Sequence, residues 1–278
     1  MKRLVIIMFL IIAAGCGREE AKPVSTVCLR IISIAPANTE ILFKLGLENE
    51  IVAVTDYCNY PEQALLKEKV GDFSNPNIEK IISLKPSMIV GTGYEQTNTL
   101  KKLKALKILV IEINPNNMLE LYYGIRLIGK YTNRQKEAEK LVLSMQSRVN
   151  SIKKKVSAIK YKARIFMEIN SKPLMTVSSG SFMDELINIL GENSASGLPR
   201  AFCRISDEFL IQKNPDIIFL TSTIKKGDFM KQHSFNNVSA VKNGRVYDDI
   251  NPDILVRPSP RIVDGLEAMF SRIYDEKK

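Results

Sequence analysis

Short runs rich in isoleucine and valine recur along the chain. RIISIA (30–35), IVAVTD (51–56), SMIVG (87–91) and ILVIEI (108–113) occupy its first part, and RIFMEI (164–169), DIIFLT (216–221) and RVYDD (245–249) its last. Apolar side chains on successive positions mark strands covered on both faces, and helix-like segments alternate with them, so each part reads as an α/β unit around a buried, largely parallel sheet. After Pro36, either Asn38 or Thr39 is placed to cap a helix with Ile41, Leu42 and Leu45 on one face and Gly46 at its end. Between the two parts, residues 118–159 contain no proline and set Ala138, Leu141, Met145, Val149, Ile152 and Val156 at helical spacing. That pattern predicts one long connecting helix, with a break at TNRQ (132–135) as the variant. The expected organisation is an N-terminal lobe over 30–115, a connecting helix over 116–160 and a C-terminal lobe over 161–278. A helical connector implies lobes held at a nearly fixed angle, whereas crossing strands would allow a wide hinge.

The two lobes share a repeated phrase. Phe73 and Phe202, Glu79 and Glu208, and Pro86 and Pro215 each stand 129 residues apart, and a strand-like run follows each proline. Asn77 and Ser206 suit helix caps, which places the glutamates in the first turns of two short helices. The prolines then close those helices, because the residue before proline disfavours helical geometry. Two readings stand at this point: the glutamates complement helix dipoles and the phenylalanines are core, or both pairs face outward for a purpose.

The N-terminus changes the setting. Lys2 and Arg3, an apolar run from Leu4 to Ile12, and Ala13, Ala14 and Gly15 before Cys16 form an export signal over 1–15 with a cleavage site. The run is shorter than the ~20 residues a membrane-spanning helix needs. Small residues ending on cysteine resemble the lipobox of bacterial lipoproteins, with Ala13 where leucine is usual. This resemblance implies lipidation at Cys16 and a polar tether over 16–29, hence an extracytoplasmic, membrane-anchored chain. A plain signal peptide is the alternative. Cleavage removes two of the charges behind the formal +10 and leaves the chain basic. No nucleic-acid module is visible, so attraction to anionic lipid headgroups is the simpler meaning of the surplus. The runs KKLKALK and IKKK read as solvated faces.

The search for chemistry finds little. There is no phosphate-cradling loop, GTGYEQ (91–96) lacks the third glycine of a dinucleotide fingerprint, and no G-x-S-x-G elbow occurs. His233, the only histidine, lies in a polar stretch and reads as a surface residue, so no catalytic or metal residue is assigned. With Cys16 set aside, Cys28, Cys58 and Cys203 are an odd number and no disulfide scaffold. Binding equipment is plentiful where strands are expected to end: PANTE, DYCNYP, DFSNP, SSGS, PRAFC and NPDILVRPSPRI. Ligands of open α/β sheets bind at such places.

RIISIAPANTEILFKLGL, TDYCNYPEQA, NIEKIISLKPSMIV and RPSPRI resemble the cobalamin-binding proteins of bacterial ABC importers, within the helical-backbone receptors for cobalamin, ferric siderophores and haem. The resemblance runs from Arg30 to Ile273. It implies two Rossmann-like lobes joined by a single long α-helix, a ligand cleft between them, no enzymatic activity, no cofactor and a monomer. It implies docking of Glu79 and Glu208 into a permease dimer that carries ATPase subunits. It also implies ligand contacts from Tyr57, Phe73 and Phe202 around a corrin, and from the polar pair Asp253 and Arg257. Phenylalanine replaces tryptophan at two of these places and removes an indole donor. Cys58 and Cys203, each next to one of those aromatics, are candidates for facing the cleft, against the plainer reading of small inert residues. A ferric siderophore or haem is the alternative ligand, with Arg200, Arg204, Arg257 and Arg261 as its cationic partners. A chelatase-type enzyme on the same scaffold, relying on His233, is the rival of another class.

Overall fold

The computed structural model describes residues 29–275, so the expected signal peptide, Cys16, Cys28 and most of the expected tether lie outside the described residues. The first half alternates strands and helices: β1 (Ile31–Ser33), α1 (Pro36–Lys44), β2 (Ile51–Val54), β3 (Glu68–Lys69), α2 (Ile78–Ser83), β4 (Met88–Gly91), α3 (Gly93–Ala105) and β5 (Leu109–Glu112). The strands pair in the order β3-β2-β1-β4-β5, all parallel. This is half of a doubly wound fold, and β1 and β4 are buried along their whole length.

Two helices follow, α4 (Met118–Tyr131) and α5 (Gln135–Ser157). The expected connector is therefore interrupted at Thr132–Arg134, where Asn133 takes a positive φ of 55°. The two helices fold back on each other. Their approach is so close that a Cβ at Gly129 would lie 2.6 Å from that of Ala138. The 23-residue α5 is about 34 Å long and buries Ala138, Val142, Met145, Val149, Ile152 and Val156, with Val142 deeper than the expected Leu141.

The second half contains β6 (Arg164–Ser171), β7 (Leu174–Val177), α6 (Phe182–Leu190), β8 (Glu192–Asn193), β9 (Phe202–Arg204), α7 (Asp207–Lys213) and β10 (Ile217–Leu220). It ends with α8 (Lys226–Met230), α9 (Ser239–Lys242), β11 (Val246–Tyr247), α10 (Asp253–Val256) and α11 (Ile262–Phe270). Its sheet, β11-β10-β6-β7-β9 with β8 also on β6, is mixed. The turn after Ser171 is too short for a crossover, so β7 returns antiparallel to β6, and β9 pairs antiparallel with β7.

Among the described residues, three apolar cores are present. One lies under the outer face of each sheet, around Ile89 and Leu100 in the first half and Phe166 and Phe235 in the second. The third and largest runs from α1 through α4 and α5 to α6 and α11 without a gap between the halves. The two lobes therefore share a core as well as a connector.

Candidate functional site

A cleft of about 860 Å³ lies between the lobes, lined from both sides. It sits where strands of both sheets end: the segment after β1 (Ala35–Asn38), Thr92 after β4, Ile113 after β5, and Gly180–Met183 after β7. The helix at 36–44 begins three or four residues earlier than the two caps suggested by the sequence would place it. Ala35 is its N-cap, with Pro36 inside the first turn. Asn38 and Thr39 are buried instead of capping: the Asn38 amide donates to Gly91 O at 3.0 Å, and Thr39 Oγ1 lies 2.8 Å from Ser33 Oγ.

The three expected aromatics all line the cleft. Tyr57 is 57% exposed and Phe202 49%, a large apolar surface for rings that nothing covers. Phe202 reaches the cleft because antiparallel β9 starts beside Val177, the last residue of β7. Phe73 comes from the loop before α2, and Gln96 fixes that loop. The buried Gln96 amide donates to Phe73 O at 2.7 Å and to Ile34 O at 2.5 Å, and Thr92 N donates to its Oε1 at 3.0 Å. Phe182, Met183 and Ile113 extend the apolar wall.

Arg257 also lines the cleft, but as a held group. Its guanidinium donates to Asn59 Oδ1 at 2.7 Å and pairs with Asp253 at 2.9 Å and Glu40 at 3.4 Å. Asp253 itself stands behind Arg257 and does not line the cleft. Arg261 is buried and doubly bonded to Glu40, at 2.8 and 2.6 Å, with its guanidinium 3.6 Å from the Tyr60 ring centre. Hydrogen bonding to Glu40, opposed by burial, holds its pKa above the ordinary arginine value. Arg200 and Arg204 are exposed and do not line the cleft. Of the four arginines named as partners for an anionic ligand, only Arg257 reaches it.

The cysteines correct an expectation. Cys58 is wholly buried, its sulfur 3.1 Å from Thr39 Oγ1 and 3.2 Å from Thr55 Oγ1. Cys203, one step along β9 from Phe202, points to the opposite face, as strand alternation requires, and its thiol donates to Arg200 O. Both are free, and neither lines the cleft. His233 is exposed in a short 3₁₀ turn away from it.

The repeated helices are present. Asn77 Oδ1 accepts from Lys80 N, and Ser206 Oγ accepts from Phe209 N. Glu79 and Glu208 are exposed in the two first turns. The repeat extends one position further: Lys85 and Asn214, 129 residues apart and each before the proline, both adopt positive φ. The Ser206 hydroxyl and its own backbone hold the Glu208 carboxyl below the ordinary carboxylate value.

A second repeat was missed. EILFKLG (40–46) and ELINILG (185–191) stand 145 residues apart, and the residues two to four positions before each, 36–38 and 181–183, line the cleft. The glutamate, three apolar positions and closing glycine were the available signal.

Among the described residues no His, Cys, Asp and Glu group could hold a metal ion, and no helix is long and apolar enough to cross a membrane. The family model described as periplasmic binding protein matches residues 31–251. An uncharacterized ABC transporter substrate-binding lipoprotein, YvrC of Bacillus subtilis, is 33% identical over 254 residues, 89% of this chain and 80% of the relative. The vitamin B12-binding protein of Vibrio cholerae is 29% identical over 242 residues, 86% of this chain and 87% of its own. Among solved structures, a possible iron-binding (periplasmic solute-binding) protein of Staphylococcus epidermidis superposes with a TM-score of 0.78 at 32% identity, covering 88% of this chain and 98% of that one. The heme-binding protein RhuT of Roseiflexus sp. RS-1 reaches 0.80 at 20% identity over 89% and 98%, a likeness of fold. With two lobes, a cleft open between them and a match over most of its length, the chain belongs to the periplasmic binding protein family, whose members are transport receptors and not enzymes.

Proposed function

We propose that the chain is the substrate-binding lipoprotein of an ABC importer, tethered through Cys16, which captures a cobalamin-like corrinoid between its lobes and delivers it to a permease with its ATPase subunits. The cleft carries this reading. Its 860 Å³ lies near the upper end for small-molecule sites, and it is walled by Tyr57, Phe73 and Phe202 from both lobes. Among the described residues its one lining cation, Arg257, is already paired, which suits a large ligand with apolar faces better than a polyanion. The vitamin B12-binding relative supports the same ligand class. Glu79 and Glu208, exposed on equivalent helices, suit docking to a two-fold permease, where charge sets orientation and encounter rate more than affinity. The lobe boundaries at 115 and 160 belong to this reading, with α4 and α5 as connector.

Calorimetric titration of the chain from Gly17 onward with cyanocobalamin and cobinamide tests it. Tight one-to-one binding, weakened at least tenfold by Phe202→Ala, is expected. No heat and no thermal stabilisation from either would overturn the corrinoid assignment. The likeness to a possible iron-binding protein favours one second reading, a haem or ferric-siderophore ligand. For haem, Tyr57 offers a phenolate ligand in the cleft, and a haem absorbance shift abolished by Tyr57→Phe would identify that case.

A further inference from the structure

The helices of the second repeat, α1 and α6, each place a glutamate at the same point, and each glutamate is bonded from outside its own lobe, Glu40 by the second lobe and Glu185 by the connector. Glu40, 1% exposed on α1, accepts from Ser259 Oγ at 2.6 Å, from Arg261 at 2.6 and 2.8 Å, and from Arg257 at 3.4 Å. All three donors follow α10 in the second lobe. Glu185 on α6 ties the second lobe to the connector. Its Oε2 accepts at 2.6 Å from the backbone N–H of Met118, the first residue of α4, one of the amides that a helix start leaves without an internal partner.

We infer that Glu40 and Glu185 are two latches, one between the lobes and one between the second lobe and the connector, that set the width of the cleft before ligand arrives, and that Glu40 is thereby a positioning residue for Arg257. The inference rests on the reading of the cleft as the ligand site. A carboxylate in the middle of a helix, facing the interior, is costly unless it is paired. Here the pairing exists only while the lobes keep their present spacing. A change of spacing too small to admit water would leave Glu40 and Arg261 desolvated and unmatched at the same moment, so the bonded spacing is preferred over nearby ones. Arg257 is caught in the same net: Asn59 and Glu40 hold it from the first lobe and Asp253 from the second. The latches are unequal. Glu40 meets two guanidinium groups and a hydroxyl, whereas Glu185 meets one amide and, among the described residues, no cation, with the Tyr122 phenol nearby, so any flexing of the cleft is expected on the Glu185 side.

Spin labels read the spacing directly. In the chain from Gly17 carrying Cys28→Ser, exposed Lys102 on α3 and Lys242 on α9 are changed to cysteine and labelled, while Cys58 and Cys203 stay buried and unlabelled. The parent should show one narrow distance, unchanged by cyanocobalamin. Glu185→Gln should broaden it, and Glu40→Gln should add a second, longer distance that cyanocobalamin suppresses. Affinity for cyanocobalamin should fall by the same factor as the population at the parental distance, because only that population binds. An unchanged distance in both variants overturns the latch, as does lost affinity at an unchanged distance. If Glu40→Gln does not fold, Glu185→Gln alone decides. If the parent binds no cyanocobalamin, the corrinoid assignment fails while the distances still decide the latch.

Discussion

Glu168 stands on β6, the inner strand of the second sheet, with no part of its side chain exposed. Its carboxylate accepts from Ser222 Oγ at 2.7 Å and from Ser222 N at 3.3 Å. Burial raises its pKa, and the Ser222 bonds offset only part of the rise. Near and below the ordinary carboxylate value of about 4.3, folded and unfolded chains both hold the proton. As pH rises through that value the unfolded chain ionises first, so the native state binds more protons and stability falls until the raised native value is passed. Glu168→Gln is expected to remove this loss: its urea midpoint should gain on the parent from about pH 4 towards neutrality. Parallel pH curves for the two proteins would defeat the assignment. At this scale the sequence told where side chains stand along the chain better than which way they point. Tyr57, Phe73 and Phe202 were legible because loops at strand ends gather at a cleft. Cys58 and Cys203 were not, since one step along a strand reverses the face and a bend after β2 turns Cys58 inward. Glu40 and Arg261, more than two hundred residues apart, gave no local sign of meeting.

Among the elements, α2 and α7 are the most informative, because their six and seven residues contribute little packing of their own. Each is held at its start by a side-chain cap, a feature worth ~1 kcal/mol when replaced by alanine, and at its end by a left-handed residue before proline. The two exposed glutamates make no hydrogen bond across the cleft. Glu79→Ala combined with Glu208→Ala is therefore expected to leave affinity for cyanocobalamin unchanged by calorimetry while cutting uptake of the labelled vitamin through the native permease at least tenfold. A loss of affinity in that double variant would remove the docking role. These helices could be read from the sequence because cap, glutamate and proline are local signals. The mixed second sheet could not: β7 and β9 are four and three residues long, and whether a strand runs parallel depends on the length of the return. The interruption at Thr132–Arg134 lay between the two, flagged by TNRQ yet carrying no proline or glycine to force it.

The whole molecule is governed by the core that crosses between the lobes. Two lobes joined only by α5 would unfold at separate denaturant concentrations, but Ile41, Leu42, Leu121, Leu186 and Leu266 belong to one apolar cluster. Losing either lobe would expose the part of that cluster belonging to the other. The protein carries its own reporters for this coupling, Cys58 in the first lobe and Cys203 in the second, both buried and free. In a urea series with brief thiol labelling, each should become reactive at the same concentration. Leu186→Ala, made in α6 at a fully buried position, should cost about 2–5 kcal/mol and move both midpoints together. A Phe166→Ala change, in the core private to the second lobe, supplies the contrast. If the lobes are independent, either substitution shifts Cys203 and leaves Cys58 where it was. If the shared core couples them, Cys58 follows Cys203 in both, because the first lobe cannot keep its half of the cluster dry once the second has gone. The same coupling accounts for a receptor whose cleft keeps its shape: the spacing set by Glu40 and Glu185 is carried on a core that does not divide.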